Sequence, residues 1–374
     1  MIVKDESKVI IRALDSVKSI VDNIFICDTG STDLTKEIVE LYLTHNKIPG
    51  KVVDSKWKNF GHNRTECFSL AQKTFPDTDY LMTLDADEII VPWDQIPLDT
   101  KHANALPHLE GDTVYVKTCY GVIDYYRPTL FKASLPWKWK GVLHEYAYSE
   151  EATSSHRITS ICNLPSTDGA RSKNSNKYLD DAKILEKDLE ENPEDARNWF
   201  YLAQSYADAG KPELAIVPTE KAFKYSKWGE EQFISLLRKA RYKVNSGIAF
   251  EEVLGDYLAA YQHSPHRVEP LFDIIFHYRI KDKFTIAALF VETALAIPLP
   301  KTDILFVESS IYDWRLQDEA TLVYHYMGQP QVAVAIAEII LEKPNLPSDA
   351  RERIEKNMKW FKEAIKEDSK ENKK

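Results

Sequence analysis

The sequence predicts an α/β domain with a mostly parallel sheet, followed by an all-α domain of helical repeats. Three observations carry this. Short β-branched runs alternate with helix-periodic runs through about residue 165 of the 374. Residues 166–177, STDGARSKNSNK, contain no large apolar side chain. Beyond them small and aromatic residues recur at helical spacing nearly to the end. Strand-helix-strand alternation implies parallel strands joined by crossover helices, and a polar stretch without periodicity reads as a boundary or mobile loop.

The elements follow in order. MIVK is a short first strand beginning at Met1, and NIFICD is a β-branched and aromatic second strand ending at Asp28. Leu34, Ile38 and Leu41 then recur at helical spacing, with Asp33 or Thr32 placed to cap the helix by accepting from free backbone N–H groups. KVVDS reads as a third strand, HNRTECFSLAQK as a helix, and DYLMTLDAD as a fourth strand running into acids. Polar residues thus gather at strand ends, where ligands bind in such sheets. After residue 110, TVYVKTCY and YYRPTLFK alternate as antiparallel strands do. The domains expected are 1–165 (α/β), 166–177 (loop or linker), 178–362 (helical repeats) and 363–374, EAIKEDSKENKK, a frayed or disordered tail.

In the helical half, Trp199, Leu202, Ala203, Tyr206, Gly210, Ala215 and Ala222 match the spacing of a tetratricopeptide repeat, a pair of antiparallel helices. Small alanines let the two helices approach, and Pro193 fits a repeat end. Weaker copies follow at Tyr278, Ala287 and Ala294 after Pro265, and at Tyr324, Gly328 and Ala333. Their spacing is irregular.

Composition bounds the function. Apolar residues make up 44% and charged residues 28%, as in a globular protein, and the net charge is −10. That balance argues against nucleic acid as the main partner, because phosphate binding needs a basic face. Cys27, Cys67, Cys119 and Cys162 form no CxxC pair. They read as buried thiols in a reducing compartment rather than zinc ligands or a disulfide framework. No apolar run follows Met1, and no segment reaches the ~20 apolar residues of a membrane span. A soluble, cytoplasmic protein is expected.

Two stretches carry chemistry. CDTGSTD contains Asp28-Thr29-Gly30, the triplet of an aspartic protease. Such a protease needs two carboxylates sharing a proton, hence two triplets or a small all-β homodimer. This chain has one triplet, followed by a helix. LDADE, residues 84–88, places two acids two apart at the end of an apolar strand. One carboxylate of an Asp-x-Asp can face a divalent cation while the other reaches a neighbouring hydroxyl. Oxygen ligands suit Mg²⁺ or Mn²⁺, which also take diphosphate oxygens. The plain alternative is a polar loop after a strand.

Taken in order, MIVKDE, CDTGSTD, GHNRTE, LDADE and GVLHE resemble the family 2 glycosyltransferases, which have the GT-A fold. The resemblance spans about the first 165 residues. The fused helical half, with FYLAQSYADAG, is similar to the subgroup that couples this domain to tetratricopeptide-like repeats. It implies an inverting enzyme that uses a nucleotide-diphosphate sugar with Mn²⁺ or Mg²⁺. Carried over by position, Asp28 would contact the nucleobase or ribose; Thr29 stands where the family often has a second acid. Lys4 and Glu6 would lie close to the nucleotide, Asp85 would hydrogen-bond the ribose, and Asp87 would ligate the metal. Arg64, in an Asn-Arg order that departs from the family's, would reach the nucleotide or make a surface ion pair.

WKWKGVLHEYAY supplies the remaining candidates. His144 would be a further metal ligand or else a core histidine, and Glu145 the catalytic base or else a structural partner. In a strand the two point to opposite faces, so both serve only if the backbone turns there. Trp137 and Trp139 would form an acceptor platform or pack in the core. Arg171 and Lys173 would close over the diphosphate, or belong to a charged linker. The expected donor is a UDP- or GDP-sugar and the acceptor a glycan, peptide or protein; the repeats would bind that acceptor or mediate a homodimer. A repeat scaffold with a silent α/β domain is the alternative from another class, and a nucleotidyltransferase a third.

Overall fold

The computed structural model describes residues 1–92, 106, 108–120, 123–170 and 176–371. The chain divides into two compact units, Met1–Lys221 and Ala222–Lys374.

The first unit opens with a parallel three-stranded sheet of β1 (Ile2–Val3), β2 (Ile24–Asp28) and β3 (Gly50–Asp54). All five β2 residues are buried, which is why NIFICD is apolar without alternation. Helices α1 (Ile10–Val17) and α2 (Thr35–Asn46) make the crossovers. Val3, Ile10, Leu14, Ile26, Val39 and Leu43 join them to the sheet in one core. Helix α3 (Phe60–Thr74) starts at Asn59, whose side chain accepts from His62 N at 2.8 Å.

The second sheet has the order β4-β7-β6-β10-β5, built from β4 (Tyr80–Met82), β5 (Glu88–Pro92), β6 (Thr113–Tyr120), β7 (Ile123–Lys132) and β10 (Ser155–Pro165). Here only β6 and β10 pair in parallel; the other ladders are antiparallel. The domain is therefore a mixed-sheet α/β domain. The expected fourth strand is present as β4, but its three residues pair antiparallel with β7 rather than continuing the parallel set. A ribbon of β8 (Lys138–Lys140) and β9 (Tyr146–Tyr148) lies between β7 and β10 in sequence.

Helices α4 (Lys177–Glu191) and α5 (Ala196–Asp208) also belong to this unit. Leu185, Leu189 and Leu202 pack with Leu143 of the β8–β9 turn. The division between units falls within α6 (Pro212–Tyr225), shortly after Pro218, whose missing N–H interrupts the helical ladder.

The second unit is all helical: α7 (Gly229–Asn245), α8 (Phe250–His263), α9 (Glu269–Ile280), α10 (Phe284–Leu295), α11 (Leu316–Tyr326), α12 (Pro330–Leu341) and α13 (Ser348–Glu371). The expected α9–α10 and α11–α12 pairs are present. Their alanines Ala287, Ala294 and Ala333 are fully buried, as are Ala215 and Ala222 of α6. Gly210 and Gly328 end α5 and α11 with φ of 71° and 74°, a conformation that costs glycine nothing. The α7–α8 pair was not anticipated; Ala240 and Ala260 are fully buried in it.

Between α10 and α11 an insertion breaks the repeat period. It is held by Arg267, which is fully buried, pairs with Glu269 at 2.7 Å and donates to the carbonyls of Leu305 and Phe306. Helix α13 runs into the segment expected as a frayed tail. Cys27, Cys67 and Cys162 are buried free thiols, and among the described residues no helix is long and apolar enough to cross a membrane.

Candidate active site

Candidate acids stand at the end of β2 and past the end of β4. At β2 the chain turns through Gly30, φ 104°. Asp28 Oδ1 accepts from the N–H groups of Gly30 and Ser31 at 2.8 and 2.7 Å, which fixes the turn. Its Oδ2 is buried and has no partner among the described residues. The facing loop locks on: Asp5, at φ 57°, accepts from Thr32 N at 2.6 Å, and Glu6 N donates to Thr35 Oγ1 at 2.8 Å.

Past β4, Asp85 and Asp87 differ sharply. Arg64, from the first turns of α3, holds Asp85 Oδ1 at 2.7 Å and, through Nε, Glu145 Oε1. Burial pushes the Asp85 carboxyl up, but the Arg64 and Arg127 guanidiniums outweigh it and leave it below the usual range. Asp87 pairs with no cation among the described residues. Burial first, then the charges of Asp85 and Glu88, push its carboxyl up to about 6. Glu88 is itself gripped in a fork by Arg127, at 2.7 Å on each oxygen, and accepts from Asp85 N at 3.0 Å.

Two close approaches set this geometry. A Cβ on Gly61 would meet the carbonyl oxygens of Gly141 and Trp139 at 2.8 and 3.0 Å. Only glycine therefore lets α3 bring Arg64 against the β8–β9 turn. A Cβ on Gly169 would meet Asp87 Oδ2 at 2.7 Å. Segment 166–170 is tied over Asp87: Ser166 N donates to Asp87 O at 3.0 Å, and Arg12 forks Asp168 at 2.8 Å per oxygen. Ala170 N reaches the Glu6 carboxylate at 3.1 Å.

The other expected site residues divide. His144 has φ 50°, so the backbone does turn between it and Glu145. Its ring stacks on Tyr201 of α5, with centroids 3.8 Å apart, and its carbonyl accepts from Arg197 Nε at 2.9 Å. Among the described residues no three His, Cys, Asp or Glu side chains group as a metal cage. Of the two readings of Trp137, its position is that of core packing. It is buried in a cluster with Phe68 and Phe131, and its indole N–H donates to Lys132 O at 2.9 Å. Trp139 is half-buried against the same rings, with the Arg64 guanidinium 5.3 Å above it. Lys4 is exposed. Arg171 and Lys173, the expected closing cations, lie outside the described residues.

Comparison with known proteins now bears on the first unit. Residues 1–98 match the family model described as glycosyl transferase family 2. The N-terminal part of the chain is thus similar to family 2 glycosyl transferases. The sequence is 34% identical over 92 residues to an uncharacterized glycosyltransferase of Rickettsia conorii, covering 24% of this chain and 27% of that protein. It is 32% identical over 118 residues to a TPR repeat-containing protein of Synechococcus elongatus, covering 30% of this chain and 27% of the other. The matched region is thus about a quarter of the length of these curated relatives. The crystal structure of the C-terminal part of a TPR repeat-containing protein from Cytophaga hutchinsonii aligns at TM-score 0.37 and 20% identity, covering 46% of this chain and 62% of that one.

Several residues of the candidate site were not anticipated. Arg127 sits on a strand among aromatics, and only its charge at an inward position marks it. Arg12 lies on α1 and acquires its role through Asp168, far away in sequence. Tyr201 and Arg197 come from the first helical hairpin: Arg197 lies 5.2 Å above the Tyr146 ring and 5.0 Å above Tyr201. Their signal was masked because Tyr and Arg at helical spacing read as ordinary repeat residues.

Proposed function

We propose that the chain is an inverting, metal-dependent glycosyltransferase that moves a sugar from a UDP- or GDP-sugar to a glycan, peptide or protein acceptor. The observation that carries the reading is Asp87: a carboxylate at a strand end, raised by burial and by Asp85 and Glu88, beside the Arg64–Glu145–Asp85 network. The family 2 match over residues 1–98 supports it.

Asp28 fixes the turn with one oxygen and offers the other to a donor group of the nucleobase or ribose. Asp85 takes a ribose hydroxyl with the oxygen that Arg64 leaves. Asp87 is the protein ligand for Mn²⁺ or Mg²⁺. Such cations are commonly held by one or two carboxylates plus substrate phosphates and water, so a three-residue cage is not required. When bound, the metal supplies charge neutralisation at the departing diphosphate. Glu145, positioned by Arg64, accepts the acceptor's proton as its oxygen attacks the anomeric carbon in a single in-line displacement. The His144–Tyr201 stack and Tyr146 adjoin that carboxylate.

A thermal-shift screen of UDP, GDP and their sugars with Mn²⁺ tests this, because a ligand bound only by the native state raises the melting temperature. A rise for one nucleotide family, followed by nucleotide release on adding that sugar donor, is expected. No rise for any member would sink the reading. One observation favours the alternative of a catalytically silent scaffold: Arg64 already occupies Glu145 Oε1. In that case the protein binds nucleotide at most and releases none from a sugar donor.

A further inference from the structure

The β8–β9 ribbon has two unlike faces. Register partners share a face, and so do alternate residues along a strand. Lys138 pairs with Tyr148, Trp139 with Ala147, and Lys140 with Tyr146. Trp139 and Ala147 turn inward to the cluster of Phe68 and Phe131. Lys138, Lys140, Tyr146 and Tyr148 therefore form the outer face, and all four are exposed. The two tyrosines keep 40% and 37% of their surface open, so a ligand reaches them without rearrangement.

A third cation joins this face from the first helical hairpin. Arg197 of α5 donates through Nε to the His144 carbonyl at 2.9 Å. Its guanidinium lies 5.2 Å from the Tyr146 ring and 5.0 Å from that of Tyr201. Lys140 Nζ stands 3.6 Å from the centre of the Tyr148 ring. A ring face attracts a cation but accepts few of its N–H bonds, which stay open to another partner. Among the described residues none of Lys138, Lys140 and Arg197 has an ion pair. Asp195, two residues before Arg197, is turned to the N–H of Asn198 at 3.0 Å. Glu150 and Glu151 lie beyond the end of β9. Three cations without acids, in a chain of net charge −10, draw an anion to this face. The tyrosines add flat apolar area tipped with hydroxyls, which suits a saccharide ring.

We propose that this outer face binds an anionic saccharide: a stretch of the acceptor whose sugars carry carboxylate or phosphate groups. The inference rests on the glycosyltransferase reading and narrows its acceptor to an anionic glycan. Glu145 lies between His144 and Tyr146, with its side chain inward against Arg64. The outer face therefore engages a part of the acceptor removed from the reacting hydroxyl. It spans only three residue pairs, and the acidic remainder of the protein opposes a long polyanion or a charged membrane.

The test is calorimetry of native protein and of the double variant Lys138→Gln/Lys140→Gln, a change confined to exposed side chains. The probes are tetragalacturonate, pentamannosyl phosphate, neutral maltotetraose, a thymidine octanucleotide and phosphatidylglycerol vesicles. The carboxylated or the phosphorylated saccharide should bind, and whichever binds names the oxyanion. Its affinity should exceed that of maltotetraose by about tenfold, fall about tenfold in the double variant, and weaken as salt is raised. Arg197→Gln should weaken it likewise. Equal affinity for charged and neutral saccharides, or unchanged affinity in the double variant, overturns the proposal. So does tighter binding of the oligonucleotide or the vesicles than of either saccharide, which makes the face a nucleic-acid or membrane contact. UDP and GDP with Mn²⁺ are titrated alongside. Diphosphate binding without binding of either anionic saccharide sinks this proposal alone. Saccharide binding without diphosphate binding sinks the glycosyltransferase reading and the acceptor role together.

Discussion

Burial and the charges of Asp85 and Glu88 hold the Asp87 carboxyl up at about 6, and the shift has a definite sign. In the unfolded chain the group titrates near about 4. Between these values the folded chain keeps a proton that the unfolded chain has released, so this group's contribution to stability falls as pH rises through that window. At neutral pH the penalty is fully present. Asp87→Asn should therefore raise the melting temperature at pH 7.5 by about 2–4 °C and leave it unchanged at pH 4; calorimetric scans at both values check this. The proton also competes with the cation, so Mn²⁺-dependent nucleotide affinity should weaken progressively below pH 6. Affinity flat from pH 7.5 to 5 would remove Asp87 from the metal site. Glu145→Gln keeps the size of the side chain and its contact with Arg64 but cannot accept a proton. Turnover should fall on the order of 10² with donor affinity near native, measured by steady-state kinetics beside donor titration. At this scale the sequence was legible where position sufficed: Asp28, Asp85 and Asp87 stand at strand ends by pattern alone. Trp137 was not legible, because an aromatic in a strand looks the same whether it faces the core or an acceptor.

Two glycines govern how elements meet, and each makes a separate prediction. Gly61→Ala drives a methyl into backbone oxygens of the β8–β9 turn, which cannot rotate away. It should destabilise the first unit by about 1–3 kcal/mol, seen in chemical denaturation. Gly169→Ala meets the Asp87 side chain, from Oδ2 at 2.7 Å to Cβ at 3.2 Å, and the carboxylate can swing away. Stability should hold, while metal-dependent nucleotide affinity falls by up to about 10² as the carboxylate is displaced. Equal binding in Gly169→Ala and native protein would show that segment 166–170 does not set the Asp87 position. The pairing of elements was only partly legible. β2 was clear from its unbroken apolar run, and β6 and β7 from their alternation. The antiparallel pairing of β4 rests on long-range contact with β7, and three residues carry no signal of strand direction. The α7–α8 pair escaped because Ala240 stands among the charged residues Arg238, Lys239, Arg241 and Lys243.

At the scale of the whole molecule, the sequence placed the change from α/β to helical grammar near residues 166–177, whereas the compact units divide at Lys221 and Ala222. The reason is apolar contact. Leu143 packs with Leu185, Leu189 and Leu202, and Tyr201 stacks on His144. The first helices thus complete the site's surroundings while carrying repeat spacing. A chain ending at Lys177 should expose these surfaces and aggregate, whereas one ending at Tyr225 should stay soluble, bind nucleotide with metal and hydrolyse the sugar donor slowly. Light scattering and donor titration on the two chains check this. If the shorter chain is soluble and fully active in transfer, the hairpin has no part in the site. The proposed chemistry requires a cation shared between Asp87 and a nucleotide diphosphate. Calorimetry of UDP and GDP binding to native protein and Asp87→Ala, with Mn²⁺ and then with EDTA, tests it most directly. Tight binding of one diphosphate that is lost both in EDTA and in a folded Asp87→Ala variant is the predicted result. Equal affinity under all of these conditions would contradict it.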